Sequence, residues 1–128
     1  MVVGACLLTP DSIRFAASTL EPDDFKSPKL AGVFRSIVHL VKSGDPVEPF
    51  TVFTRAQELG VRGLEVVELH KWLAGVGSAE SISYYADQVR EAAARRRLYT
   101  IATTLLRDAQ DETLHPTEAS NRVAEAIK

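Results

Sequence analysis

The 128-residue sequence predicts an all-α fold, a small helical bundle followed by a C-terminal antiparallel helical hairpin, and three observations carry that prediction. Apolar residues recur at helical spacing, and no segment alternates as a strand would. Pro and Gly stand where helices should start and stop. The stretch from Ser78 to His115 contains neither Gly nor Pro, leaving room for a helix of about 30 residues, roughly 45 Å at 1.5 Å per residue.

The elements follow in order. A first helix runs from Val2 to about Leu8. Thr9-Pro10-Asp11 opens a second, with Thr9 as N-cap, Pro10 at the first helical position and Asp11 in the positively polarised first turn. Ile13, Ala16, Ala17 and Leu20 form its apolar side, and Glu21-Pro22-Asp23-Asp24 makes a turn anchored by Phe25. Ser27-Pro28 starts a third helix whose apolar face is Leu30, Val33, Phe34, Ile37, Val38 and Val41, with Gly44 as a left-handed stop. A fourth begins near Glu48-Pro49, turns Val52, Phe53, Ala56 and Leu59 inward and ends at Gly60. A fifth carries Leu69, Trp72, Leu73 and Val76 and ends around Gly75-Val76-Gly77.

The long helix, capped by Ser78 or Ser81, has two apolar faces in succession. Ile82, Tyr85, Ala86, Val89 and Ala93 cluster in one direction, and Ala94, Leu98, Ile101 and Leu105 cluster about 130° away at 100° per residue. The first half should bury itself on its own bundle and the second on another surface. Pro116 opens a last helix with Ala119, Val123, Ala126 and Ile127 on one side. Residues 1–77 are therefore expected to form the bundle and 78–128 the hairpin, within one structural domain. Two helices bury too little to be stable alone, so the hairpin calls for a partner hairpin.

Composition narrows the function. With 45% hydrophobic and 25% charged residues the chain matches an ordinary soluble globular domain. A net charge of −2 gives no overall electrostatic footprint for nucleic acid. The single Cys6 excludes an intrachain disulfide and a cysteine-rich metal site, which suits a reducing, cytoplasmic setting. The apolar run Val2–Leu8 is too short to span a bilayer and lacks the flanks of a signal peptide, so no membrane association is expected.

Catalytic equipment is missing from the sequence. The seven glycines sit singly at helix ends rather than in a phosphate-binding loop. His39, His70 and His115 fall in three separate segments instead of at metal-ligand spacing. Asp23-Asp24 suits a capped turn, Cys6 a small core residue, and Trp72 a position in its helix's apolar stripe. Arg95-Arg96-Arg97, with Arg90 and Arg107 nearby, is the one notable charge cluster. Consecutive helical residues point about 100° apart, and Asp87, Glu91 and Asp108 dilute the field. Salt bridges, partner-protein contacts and nucleic-acid phosphate all remain open for these arginines.

Placed in order, several segments resemble the N-terminal domain of DnaB-type replicative DNA helicases. Gly4-Ala5-Cys6-Leu7-Leu8 is similar to that family's first helix, and Leu20-Glu21-Pro22-Asp23-Asp24-Phe25 to the turn that follows it. Val33-Phe34 with Ile37 and Leu40, then Gly44-Asp45-Pro46-Val47 and Thr51-Val52, resemble its next stretch. So do Leu69 through Leu73, and Tyr85-Ala86-Asp87-Gln88-Val89-Arg90-Glu91 with Arg96. The likeness runs over nearly the whole chain. The missing acidic lead-in, Ser81 before the Tyr-Ala motif and the lone Gly63 mark a divergent member, of the kind a phage or mobile element carries.

The resemblance implies a non-catalytic collar domain that pairs through its hairpin, as a trimer of dimers in a hexamer, and docks primase in DNA replication. No cofactor is expected in this fragment, since ATP and Mg would belong to a missing C-terminal ATPase domain. The expected hairpin interface is Leu98, Ile101, Leu105, Val123 and Ile127, with Arg90, Arg95, Arg96 and Arg97 as partner or salt-bridge contacts. Direct nucleic-acid contact should be weak at most. The competing readings are the helicase-binding domain of a primase and a small helical DNA-binding module.

Overall fold

The computed structural model describes residues 1–76 and 81–128, and among them every regular element is helical. The helices are α1 (Val2–Leu8), α2 (Pro10–Thr19), α3 (Pro28–Ser43), α4 (Pro49–Glu58), α5 (Val66–Ala74), α6 (Ile82–Gln110) and α7 (Pro116–Ile127), with a 3₁₀ turn at Pro22–Asp24. They form two compact units, Met1–Glu91 and Ala92–Lys128, so the division falls inside α6. The suggested boundary between 77 and 78, the Ser78 cap and the Gly77 stop lie outside the described residues; Ser81 immediately precedes α6.

Local chemistry sets the helix starts. Thr9 Oγ1 accepts the Ser12 N–H at 3.2 Å, and Ser27 Oγ accepts that of Leu30 at 3.3 Å. Each satisfies a donor that has no intrahelical partner. Proline occupies the first turn of α2, α3, α4 and α7, where its missing N–H removes nothing. Asp24, Thr51 and Glu68 use their side chains to accept the N–H groups of Glu21, Glu48 and Glu65, three residues back. Gly44 and Gly60 take φ of 75° and 83° where α3 and α4 end, a conformation closed to most side chains.

The core of the first unit gathers one face from each of its helices. Val2, Val3 and Cys6 of α1, Ile13 and Ala16 of α2, Val33, Phe34 and Ile37 of α3, Val52 and Ala56 of α4 and Leu69 of α5 are all buried. Phe25 packs on Phe34 with ring centroids 5.0 Å apart. Ile82 and Ala86 of α6 complete this core, as the first of the two apolar faces requires. Three inward assignments need correction, the first being Ala17, which is exposed on α2. Val41 is 44% exposed and Leu59 39% exposed, whereas Leu40 is buried. The buried side of α3 is turned toward Gly32, Ser36 and Leu40, and Ser36 joins it because its hydroxyl donates to the Gly32 carbonyl at 2.8 Å.

One approach is unusually close. A Cβ on Gly4 would lie 2.4 Å from the Trp72 carbonyl oxygen and 2.5 Å from Val76 Cγ2. The backbone of α1 therefore lies directly against the end of α5, and only a residue without a side chain fits there.

Candidate protein-interaction surface

The second unit is built from the later part of α6, a five-residue turn and α7. His115 caps α7 by accepting the Thr117 N–H on Nδ1 at 3.1 Å, with Pro116 at the first helical position. Asp111 holds the turn by accepting from Thr113 Oγ1 at 2.6 Å and from Thr113 N at 2.9 Å. Those bonds, the side-chain one foremost, keep its carboxyl below the usual aspartate range.

The seam between the two helices is thin. Thr100, Ile101, Thr104 and Asp108 of α6 line, with Arg122, Val123 and Ala126 of α7, a cavity of about 120 Å³. In this unit only Asp108 and Ala119 are buried. The Asp108 carboxylate sits 3.7 Å from Arg122 Nη1 and 4.0 Å from Arg107 Nε, and its Oδ2 has no hydrogen-bond partner among the described residues. Arg122 also pairs with Glu118 at 3.3 Å.

The five residues expected at a hairpin interface separate into two groups. Ile101 and Val123 are half-buried and line the internal cavity. Leu98, Leu105 and Ile127 are 64%, 40% and 67% exposed. Tyr99 and Leu106, which lie outside the predicted apolar stripe, are 76% and 61% exposed. Their sequence signal was the seven-residue spacing, two helical turns on one side of α6. Arg95 and Arg97 are exposed and Arg96 is half-buried, with both Arg95 and Arg96 engaged by other groups. Arg90 is exposed in the part of α6 that belongs to the first unit.

The described residues of the first unit bring together no reactive centre to compare with this surface. Burial pushes the Cys6 thiol up to about 12, which keeps it protonated and unreactive. Among the described residues no three His, Cys, Asp or Glu side chains are grouped to hold a metal ion. His39 Nδ1 contacts Arg55, which also pairs with Asp45 and Glu58 at 3.1 Å each, a cluster tying the link after α3 to α4. An open groove of about 370 Å³ runs between Leu8, Thr9 and Pro10 and the segment Val41 to Val47. No helix among the described residues is long and apolar enough to cross a membrane.

Residues 1–91 match the family model described as the DnaB-like helicase N terminal domain. The chain belongs to that family. This DnaB-like domain is 31% identical over 131 aligned residues to the replicative DNA helicase DnaC of Bacillus subtilis, covering 99% of the chain and 28% of that protein. It is 34% identical over 110 residues to the replicative DNA helicase DnaB of Mycobacterium leprae, covering 82% of the chain and 18% of the relative. The chain thus spans less than a third of the length of these curated relatives. In three dimensions it is similar to the N-terminal domain of DnaB helicase from Mycobacterium tuberculosis, with a TM-score of 0.90 at 29% identity, covering 98% of this chain and 91% of that one. The all-helical architecture is therefore that of the DnaB-like N-terminal domain.

Proposed function

We propose that this domain is the non-catalytic self-assembly and primase-docking part of a hexameric replicative DNA helicase, acting in the cytoplasm during DNA replication. Membership of the DnaB-like family supports a place in a replicative helicase. The single observation that carries self-assembly is the second unit itself. It exposes Leu98, Tyr99, Leu105, Leu106 and Ile127 over a seam that buries little, and a two-helix unit of that kind needs further apolar contact to be stable. ATP and Mg chemistry would belong to an ATPase domain of the parent protein.

The test is light scattering at micromolar chain concentration, followed by a pull-down with the helicase-binding domain of a primase. Dimers or larger assemblies that dissociate on Leu98→Asp, together with capture of the primase domain, are expected. A monomer unaffected by Leu98→Asp would overturn the self-assembly role, and failure to retain the primase domain would overturn the docking role.

A further inference from the structure

A basic cavity in the first unit has no part in the self-assembly reading. It measures about 270 Å³ and lies between the start of α3 and the segment leaving α4. Lys29, Gly32 and Arg35 form one wall, and Leu59 to Arg62 form the other. The fold fixes both walls. Gly60, at φ 83°, turns the chain out of α4, and the N–H groups of Gly60 and Val61 donate to the Gln57 and Ala56 carbonyls at 3.1 and 2.9 Å. Val61 then rests on the bare backbone of Gly32, where a Cβ would stand 2.5 Å from Val61 Cγ2.

Three cations and no carboxylate line this cavity, in a chain whose net charge is −2. Lys29 is already matched, since its Nζ lies 3.1 Å from Glu68 Oε2 and 3.3 Å from Oε1. Arg35 and Arg62 are not: neither makes an ion pair or a hydrogen bond with any described residue. The cavity therefore presents two guanidinium charges that no described residue offsets.

We infer that this cavity binds the phosphate end of a small molecule, a phosphomonoester or a diphosphate. Charge and size select that class. A guanidinium offers paired N–H donors in a fork that matches phosphate oxygens, and two of them balance a phosphoryl dianion. A single carboxylate would leave one guanidinium unmatched. The volume falls just under the roughly 300–1,000 Å³ of ordinary small-molecule sites, enough for a phosphoryl group and its immediate surroundings. A nucleic-acid strand fits less well, because its charges follow an extended track and its bases stack on aromatic side chains. No aromatic side chain lines this cavity. All of its residues belong to the first unit, so the inference stands apart from self-assembly through the second.

Isothermal titration calorimetry of the whole 128-residue chain with inorganic pyrophosphate, at constant ionic strength, tests the site. Saturable binding is expected, weakened about tenfold by Arg35→Gln or Arg62→Gln, as for a lost hydrogen bond to a charged group. Both side chains are exposed, so neither change should lower the melting temperature. Arg14→Gln removes the same charge from α2, outside the cavity, and should leave the affinity unchanged. Glu68→Gln should act with the opposite sign: it leaves Lys29 uncompensated and tightens binding, a gain that damage to the fold does not produce. Absence of saturable binding, equal losses in all three arginine variants, or weaker binding by Glu68→Gln would overturn the site. Succinate binding as tightly as pyrophosphate would overturn the phosphate class in favour of carboxylates. Displacement of pyrophosphate by single-stranded oligothymidine lacking terminal phosphates would overturn the small-molecule ligand in favour of a nucleic-acid strand.

Discussion

Replacing Gly4 by Ala pits two effects against each other in a known geometry. In an ordinary helix interior the change would stabilise by about 1 kcal/mol, because alanine is the better helix former. Here the new Cβ would stand 2.4 Å from the Trp72 carbonyl oxygen, whereas ordinary contact begins at 3.4 Å. α1 and the end of α5 must then separate by about 1 Å. Overpacking of this kind typically costs about 1–3 kcal/mol, and a rigid backbone oxygen puts the cost at the upper end. The net expectation is a loss of about 2 kcal/mol, which for a unit of this size lowers the melting temperature by about 10 °C. Thermal unfolding followed by circular dichroism measures it, with Gly32→Ala as the comparison. At Gly32 the nearest atom is Val61 Cγ2 at 2.5 Å, the end of a side chain that can rotate away, so the loss there is smaller. A Gly4→Ala protein melting at or above the parent would refute the argument, since propensity would then have outweighed the contact.

Two further outcomes follow from the titratable groups. Glu68 has its carboxyl held below the usual range by hydrogen bonds from Lys29 and from the Glu65 N–H. A depressed carboxylate stabilises the fold at pH values above its unfolded value and loses that contribution as pH falls through the folded one. Glu68→Gln should therefore melt lower than the parent at neutral pH, with the gap closing progressively below pH 4.5, the ordinary value; a gap constant down to pH 2 would rule out this linkage. Cys6 should resist alkylation by iodoacetamide in the native protein at pH 8 and react at once in denaturant, and fast native labelling would mean that α1 opens readily.

The helix starts were legible in the sequence because capping chemistry is local. Thr9-Pro10, Ser27-Pro28 and Glu48-Pro49 each state where a helix begins, and α2, α3 and α4 begin there. The existence of two apolar faces on α6 was legible for the same reason, since Ile82 and Ala86 join the first core while Leu98 and Leu105 lie outside it. Which side of α3 is buried was not. Apolar spacing favoured Val41, but α3 turns Gly32, Ser36 and Leu40 inward, and a serine satisfied by its own helix is invisible to a hydrophobic pattern. The candidate surface was legible only in part. Leu98, Ile101 and Leu105 share one broad apolar sector, yet where α7 lands decides that Ile101 faces inward and the two leucines outward. Tyr99 and Leu106 were missed because exposure is a property of the packed chain rather than of the stripe.

The thin seam of the second unit has a consequence for how order is distributed along the chain. A unit that buries only Asp108 and Ala119 has little of its own to oppose local opening. If a second copy covers it, mass action sets its opening equilibrium, because binding stabilises by an amount that grows with the concentration of free partner. Amide protons in residues 92–128 should then exchange more slowly as the sample is concentrated, while those in residues 1–91 keep the same rates. The ends of one unbroken helix would thus follow different laws: at Ile82 order is a property of the folded chain, and at Leu105 it is a property of how many chains are present.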